Sequence, residues 1–342
     1  MKRINFAIIG QGYIGKRHAD MVRQNPAARL VAVCDILPKK MTDTESISEP
    51  YYQDIDEMIT SHPEIEVVSV CTPNGLHAQH ALKALRANKN VVCEKPMALS
   101  ISDCQKIIAL ADQMQKHVFC VMQNRFSPPS AWIKDVIDKR VLGDIHIVQL
   151  NCYWNRDGRY YKTGGWKGSG QLDGGTLFTQ FSHFIDIMYW LFGDIKDIHA
   201  QFADFEHAKQ TDFEDSGIID FKFISGGMGS INYSTAIWDK NLESSLTIIG
   251  SKGSIKIGGQ YMDKVEHCHV KDYELPLLAA TRPANNYGAY MGSANNHDFV
   301  IQNVVETLNG KAPVATDAQD GLAVVSIIER IYSLRETDKY VR

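Results

Sequence analysis

The sequence lacks an apolar run long enough to span a bilayer, a C-x-x-C pair and an excess of basic residues. Its net charge is −4, which argues against nucleic acid or an anionic membrane as the main partner. The seven cysteines are scattered, which argues for a reducing compartment and against a disulfide framework or a zinc site. No signal peptide precedes the first predicted strand, so we expect a cytoplasmic protein. The 342 residues, 44 % of them hydrophobic, predict a globular protein of about two domains.

The first third of the chain alternates short apolar runs with helical patterns. The predicted strands cover residues 4–9, 30–34, 67–71, 90–93 and 118–122. Helical patterns lie between them, for example over 77–87 and 101–115. This alternation predicts βαβ units, and therefore an α/β Rossmann domain with a doubly wound parallel sheet over residues 1–124.

From residue 125 to 342 we predict a second, α+β domain. One helix is expected over 131–139, and strands with period-two alternation follow. These strands cover 145–153, 198–205, 216–223, 228–235, 244–249 and 254–257. Gly226-Gly227 and Lys252-Gly253 supply hairpin turns, so the sheet should be large, open and mostly antiparallel. Helices over 296–308 and 317–335 end the chain and are expected to pack back toward the first domain.

A G-x-G-x-x-G loop follows the first strand and opens a helix, at Gly10, Gly12 and Gly15. This pattern is typical of a dinucleotide site, in which the second glycine lets backbone amides approach a pyrophosphate. Asp35 ends the second strand 20 positions after Gly15. A carboxylate there can accept hydrogen bonds from a ribose diol and repels a 2′-phosphate, so NAD is favoured over NADP. The alternatives are a glycine-rich turn without function and, given the nearby basic residues Arg29 and Lys39, NADP.

Glu94-Lys95-Pro96 closes a buried strand at the edge where open α/β sheets bind ligands. Pro96 keeps Lys95 out of the helical region, and the bond between them can be cis. A lysine held there can exchange a proton with a substrate hydroxyl if its pKa is lowered. The alternative is a solvated Lys-Pro turn at the surface.

The neighbouring strand ends in Thr72-Pro73-Asn74, with His77 shortly after. Polar side chains at this strand end could contact the ribose or the nicotinamide. The segment is also a good turn sequence, so a turn without function remains the alternative.

A nearly all-apolar segment over 176–192 predicts a buried helix. Thr176, Thr179, His183 and Asp186 recur along it at spacings of three, four and three, which places them on one face. His183 suits proton exchange with a hydroxyl, and Asp186 could orient it or contact a neighbouring group. A core histidine with satisfied hydrogen bonds is the alternative.

The segment before this helix, over 155–168, is rich in arginine, tyrosine and tryptophan. Such side chains bind phosphates, carboxylates and sugar faces. An oligomer contact is the other interpretation, and the two are compatible.

Together these motifs resemble the glucose-fructose oxidoreductase/inositol dehydrogenase/rhizopine catabolism (Gfo/Idh/MocA) family. The resemblance covers nearly the whole chain and includes Gly174-Gly175 before His183-x-x-Asp186, and Asp320-Gly321-Leu322 near the end. Many members carry an aspartate four residues before the histidine, where this chain has Thr179. The surrounding sequence is most similar to the UDP-N-acetylglucosaminuronate 3-dehydrogenases of lipopolysaccharide O-antigen biosynthesis. That resemblance implies that NAD oxidises the sugar C3 hydroxyl to a ketone. It also implies a dimer or tetramer, with 2-oxoglutarate as a possible oxidant of NADH.

The resemblance implies Lys95 and His183 as catalytic residues, one removing the hydroxyl proton while the other steadies the oxyanion. Which of the two is the base stays open. The expected cofactor-binding residues are Gly10, Gly12, Tyr13, Ile14, Gly15, Asp35, Thr72, Asn74, His77, Glu94, Lys95, Gln123 and Trp166. The expected substrate-binding residues are Lys95, Asn124, Arg125, Arg156, Arg159, Tyr160, Tyr161, Thr179 and His183, and no metal is expected.

Two other functions fit the same motifs. One is an NAD-dependent dehydrogenase of a free sugar or inositol, against which Thr179 argues. The other is an NAD-binding sensor that has lost its chemistry, against which the presence of both Lys95 and His183 argues.

Overall fold

The structure, a computed structural model, describes residues 2–162 and 165–335. Its internal contacts divide the chain into two compact units. Unit 1 takes the described residues up to Met122 together with His297–Val325. Unit 2 takes Gln123–Asn296 and the described residues from Ser326 onward.

Unit 1 contains a six-stranded sheet in the order β3-β2-β1-β4-β5-β6, in which all neighbours pair parallel. Its strands are β1 Ile4–Ile9, β2 Ala28–Cys34, β3 Tyr51–Tyr52, β4 Val67–Val70, β5 Asn90–Cys93 and β6 Val118–Cys120. The helices that connect them are α1 Tyr13–Gln24, α2 Ile55–Ser61, α3 His77–Arg86 and α4 Ile101–Met114. The predicted doubly wound sheet is confirmed. The sequence analysis missed β3, because two residues are too short to show a period.

Unit 2 contains a seven-stranded sheet in the order β13-β12-β11-β7-β10-β9-β8. Its elements are α5 Pro128–Asp138, β7 Ile145–Tyr153, α6 Ser182–Phe192, β8 Ile195–Ala203, β9 Ser216–Phe223, β10 Met228–Ser234, β11 Glu243–Gly250, β12 Gly253–Gly258 and β13 Lys264–Val270. Only the β10–β7 pair is parallel within this described sheet, so the predicted mostly antiparallel sheet is confirmed. Burial alternates strictly along β9, as expected for a sheet covered on one face.

The predicted helix over 176–192 differs from the observed one. A π-helical turn at Leu177–Phe181 precedes α6. The wider turn breaks the spacing of 3.6 residues on which the predicted polar stripe rests. Such turns inside helices are frequent at functional sites. β13 is not among the predicted strands, because its residues are mostly exposed and polar and show no apolar face.

Two C-terminal helices follow, α7 His297–Leu308 and α8 Ala318–Tyr332. Within unit 1, α8 lies close to β6, because a Cβ added at Gly321 would lie 2.7 Å from Cys120 Sγ. Glycine is therefore needed where the helix crosses the strand. Among the described helices, none has the length and hydrophobicity that a membrane span requires.

Candidate active site

The three glycines of the loop after β1 have different structural roles. Gly10 has a φ of +91°, and a Cβ there would lie 2.5 Å from the Cys71 carbonyl oxygen. A Cβ at Gly15 would lie 1.8 Å from the Gly10 carbonyl oxygen. By contrast, no described atom lies within 4 Å of a Cβ built at Gly12. The backbone packing therefore requires Gly10 and Gly15, whereas the space beside Gly12 is open to a ligand.

The start of α1 fits a dinucleotide pyrophosphate. Within the described residues, the Gly12 N-cap makes no side-chain capping bond, and the first turn contains no acidic residue. Glycine brings no side chain to the first N–H groups of the helix, and the positive end of the helix dipole lies here, as a phosphate-binding helix start requires. Tyr13 is exposed and Ile14 half-buried beside this start.

Asp35, at the end of β2, holds the glycine loop in place. Its carboxylate accepts the backbone N–H of Gln11 at 2.7 Å and that of Leu37 at 2.9 Å. The side chain is half-buried, and each carboxylate oxygen has lone pairs beyond the bond it accepts here. Asp35 therefore lies where the dinucleotide pattern predicts an acceptor for the ribose diol. Its bond to Gln11 is a second role that the spacing did not reveal.

Alanine substitutions should separate the two kinds of glycine. Gly12→Ala should leave the fold intact, because the backbone φ there is −71° and the Cβ meets nothing. It should weaken NADH binding about 10- to 100-fold by crowding the pyrophosphate. Gly15→Ala should instead lower the melting temperature, because its Cβ collides with backbone. NADH titration by fluorescence and thermal unfolding measure the two effects. Unchanged NADH affinity in Gly12→Ala would place the cofactor elsewhere.

His77 connects the two strand-end loops. Its Nδ1 lies 2.6 Å from the Pro96 carbonyl oxygen and its Nε2 lies 2.8 Å from that of Thr72. The ring is buried, and burial lowers the pKa of His77. The Lys95–Pro96 peptide bond is cis. We had predicted His77 as a cofactor contact; in this structure its ring nitrogens face protein carbonyls.

The other residues of this strand end are also in contact with protein groups. Thr72 Oγ1 lies 2.9 Å from His80 Nδ1, and burial lowers the pKa of His80 to about 4. Asn74 is buried in a short 3₁₀ turn. The β4 end is therefore a packed structure that supports the adjacent β5 end.

Glu94 is buried between two histidines at the end of β5. Its Oε1 lies 2.9 Å from His18 Nε2 and 3.8 Å from His297 Nε2, and its Oε2 accepts the Lys95 backbone N–H at 3.2 Å. Burial raises the pKa of Glu94, but the hydrogen bond from His18 and the charge of His18 outweigh burial and lower the pKa to about 2. Burial lowers the pKa of His297 to about 3. An ionised Glu94 thus fixes the backbone that carries Lys95.

The sequence analysis missed this cluster, because its members are distant along the chain. His18 lies on α1, which begins at the dinucleotide loop, and His297 begins α7. One nitrogen of each histidine and one oxygen of Glu94 lie within 4.8 Å of one another, a spacing that could admit a metal ion. The 2.9 Å hydrogen bond between His18 and Glu94 already satisfies two of the three ligand atoms. We therefore interpret the cluster as a hydrogen-bonded support for Lys95, a signal detectable in sequence only as a histidine on the buried face of α1.

His183 is buried near the start of α6. The Gln123 amide nitrogen lies 3.1 Å from His183 Nε2, which as an acceptor belongs to a neutral imidazole. Gln123, predicted to contact the cofactor, therefore contacts the predicted catalytic histidine here. Thr179 Oγ1 donates to the Asp173 carbonyl oxygen at 3.0 Å and to the Asp173 carboxylate. Thr176 Oγ1 donates to the Glu214 carbonyl at 2.6 Å.

Arg125 forms a buried fork with Asp186. Its Nε donates to Asp186 Oδ2 at 2.9 Å and its Nη2 to Oδ1 at 2.5 Å. Arg125 is 7 % exposed and Asp186 0 %. The guanidinium that we predicted to bind a substrate anion is thus paired with a protein carboxylate in this structure. Asn124, its neighbour, accepts a hydrogen bond from Ser293 Oγ at 2.7 Å.

The arginine- and tyrosine-rich segment has one exposed and one buried arginine. Arg159 forms surface ion pairs with Asp157 at 2.8 Å and Asp239 at 3.6 Å. Arg156 is 1 % exposed and lies among aromatic rings, including that of Tyr160. The predicted contacts also include Tyr161, which packs in a buried cluster with Tyr160 and Phe213, and Trp166, which is half-buried. Thr163 and Gly164, between these segments, lie outside the described residues.

The chain combines a Rossmann sheet, this glycine loop, an acid at the end of β2 and a lysine at the end of β5 with an α+β unit. This combination defines the class of dinucleotide-dependent oxidoreductases. Residues 4–122 match the oxidoreductase family with an NAD-binding Rossmann fold, and residues 134–342 match its C-terminal alpha/beta domain. The chain therefore belongs to the Gfo/Idh/MocA family of NAD-dependent oxidoreductases, as the sequence analysis predicted.

Known proteins of different activities are similar to this chain. The WlbA dehydrogenase of Bordetella pertussis, solved with NADH and UDP-GlcNAcA, superimposes with a TM-score of 0.85 and 28 % identity, covering 97 % of this chain and 96 % of that one. An inositol 2-dehydrogenase of Rhizobium meliloti is 25 % identical over 95 % of both chains. A 2,7-anhydro-N-acetylneuraminate hydratase of Mediterraneibacter gnavus is 29 % identical over 75 % of this chain and 68 % of that protein. The family thus leaves the substrate open.

Proposed function

We propose that this protein oxidises the C3 hydroxyl of a UDP-N-acetyl-hexosaminuronate to a ketone with NAD. The observation that carries the proposal is the likeness to a dehydrogenase solved with NADH and UDP-GlcNAcA, which extends over 97 % of this chain at a TM-score of 0.85. This coverage includes both units of the chain. Many family members have an aspartate where this chain has Thr179, and this difference also supports a UDP-sugar substrate.

Two residues handle the proton in the proposed reaction. NAD, when bound, supplies the hydride acceptor. Lys95 extends from a backbone that Glu94 and His77 hold at the carboxyl end of β5. His183 is buried, and a neutral imidazole can accept the hydroxyl proton or donate a hydrogen bond to the developing oxyanion. Lys95 and His183 share these two tasks, and the chemistry permits either assignment.

The proposal extends to the setting of the reaction. A 3-keto sugar nucleotide is a substrate for an aminotransferase, which suits lipopolysaccharide or other surface-polysaccharide biosynthesis in the cytoplasm. NADH that stays bound would need an oxidant, and 2-oxoglutarate is the compound we propose. We also propose a homodimer or homotetramer.

The test is a substrate panel with product analysis. Purified protein is incubated with NAD and UDP-GlcNAcA, free glucuronate or myo-inositol, and NADH absorbance and products are recorded. We expect NADH and a 3-keto product from UDP-GlcNAcA alone. Turnover of inositol alone would favour the second candidate, a polyol dehydrogenase, which the full-length similarity to an inositol 2-dehydrogenase supports. A changed sugar without net NADH would indicate a reaction that regenerates NAD, and NAD binding without any turnover would indicate a sensor.

A further inference from the structure

Lys167 lies against two tyrosine rings of unit 2. Its ammonium is 3.8 Å from the centroid of the Tyr160 ring and 4.8 Å from that of Tyr290. It also donates to the Tyr290 hydroxyl at 3.1 Å. The two rings meet edge to face with centroids 4.8 Å apart. Lys167 and Tyr290 are half-buried, so a ligand can reach them, whereas Tyr160 is buried.

Arg156 adds a second cation to the same rings. Its guanidinium carbon lies 5.2 Å from the Tyr160 centroid and 5.0 Å from that of Tyr290. Its N–H groups donate to neutral acceptors, namely Gln180 Oε1 at 2.7 Å, the Asn155 carbonyl at 2.6 Å, Asn241 Oδ1 at 3.3 Å and the Met291 carbonyl at 3.0 Å. Within residues 2–162 and 165–335, neither cation forms an ion pair with a carboxylate. A buried arginine without an acid is uncommon, because an uncompensated charge is costly to bury.

Lys167, Arg156 and Asp173 together carry an excess of positive charge. Burial, together with the charges of Arg156 and Lys162, lowers the pKa of Lys167 to about 8, although Asp173 partly opposes this decrease. Asp173 accepts the Gly168 N–H at 2.7 Å and hydrogen bonds from Thr179. Two buried or half-buried cations therefore face one buried anion, and a bound monoanion would balance the charge.

We propose that Lys167 and Tyr290 bind the carboxylate end of an anionic sugar, with the buried Tyr160 ring as their support and Arg156 as a fixed positive charge beneath the rings. This inference rests on the proposed function, which it deepens by naming the residues that distinguish a uronate from a neutral sugar. The excess positive charge favours a carboxylate over the diphosphate, because it matches one negative charge. The Lys167 ammonium has three N–H donors, of which one is donated to Tyr290 in the described part of the chain.

The experiment measures ligand discrimination by calorimetry. The NADH-bound protein, which cannot oxidise a substrate, is titrated with UDP-GlcNAcA and with UDP-GlcNAc, which carries a CH₂OH group in place of the carboxylate. We expect the wild type to bind the uronate about 10- to 100-fold more tightly than its neutral counterpart, since one hydrogen-bonded charge pair is exchanged. Lys167→Met should abolish this ratio while changing the affinity for UDP-GlcNAc little.

Lys162→Met is the matched control, because it removes an exposed cation from the same segment. It should retain the ratio, since its charge acts only at a distance. NADH affinity and thermal unfolding confirm that each variant is folded, and Lys167→Gln replaces Lys167→Met if the latter does not fold. A ratio preserved in Lys167→Met, or an equal loss of affinity for both ligands, overturns the inference and leaves the proposed function intact. A wild type that binds neither ligand overturns the proposed function and this inference with it.

The pH dependence gives a second readout. The charged groups that act on Lys167 are Arg156, Lys162 and Asp173, and its ammonium also contacts the Tyr160 ring and the Tyr290 hydroxyl. Lys167 has a pKa of about 8 in the ligand-free protein, and a bound carboxylate raises this pKa. Near and above pH 8, binding is therefore coupled to the uptake of a proton by Lys167. Affinity for UDP-GlcNAcA should therefore fall above pH 8 in the wild type. The same decrease in Lys167→Met would assign it to another group and contradict the inference.

Discussion

Lys95→Met is expected to lower kcat about 10²- to 10⁴-fold, the range that a positioned proton-transfer group contributes. The substitution keeps most of the length of the side chain and removes the ammonium, with its charge, its N–H donors and its exchangeable proton. NADH affinity should change only a few-fold, because we expect the cofactor to bind mainly at the glycine loop before α1 and at Asp35. The measurement is steady-state NADH formation with the substrate that the panel identifies, together with NADH titration of the same sample.

Lys106→Met is the matched control for this prediction. Lys106 lies in unit 1 on α4, with its side chain 60 % exposed in a surface pair with Asp103. Such pairs contribute about 0–1 kcal/mol, so both activity and NADH binding should be retained. Full activity in Lys95→Met would remove the lysine from the chemistry. A large loss of NADH affinity would instead assign it to cofactor binding.

Much of the fold could be predicted because local signals agree with it. The Gly226-Gly227 pair predicts a hairpin, and both residues adopt a positive φ, +106° and +83°, between β9 and β10. Apolar and polar residues alternate over 219–223, and the strand predicted over 216–223 has the observed bounds of β9. The glycine loop and Asp35 are recognisable because the chemistry of a pyrophosphate site depends on residues close together in sequence.

The partners of the candidate site residues could not be predicted in the same way. Periodicity places Asp186 on the polar face of its helix, but nothing local indicates that Arg125, 61 residues earlier, pairs with it. Glu94 and His18 are separated by 76 residues. The π-helical turn at Leu177–Phe181 likewise depends on the packing of its neighbours, because its sequence suits an ordinary helix. Spacing thus reveals which face a side chain occupies, and tertiary packing decides what it contacts.

Asp186→Asn is expected to lower the free energy of unfolding by about 3–5 kcal/mol, because it leaves the buried Arg125 cation without its counter-charge. The pair is 7 % and 0 % exposed, so solvent can replace little of the lost interaction. The guanidinium also lies over the Trp190 ring, 5.3 Å from its centroid, and we expect this contact to hold it in the variant. Urea unfolding, followed by tryptophan fluorescence, measures the loss.

The double variant Arg125→Met/Asp186→Leu separates the cost of an unpaired charge from the value of the pair itself. Two apolar side chains need no counter-charge, so the double variant should recover most of the stability that Asp186→Asn loses. Asp197→Asn is the control, since its pair with Lys222 is more than half exposed on both sides and should matter by about 1 kcal/mol or less. If the double variant were as unstable as Asp186→Asn, the buried pair would stabilise unit 2 directly. If the double variant recovers, the pair specifies the packing of Arg125 against α6 and adds little to stability.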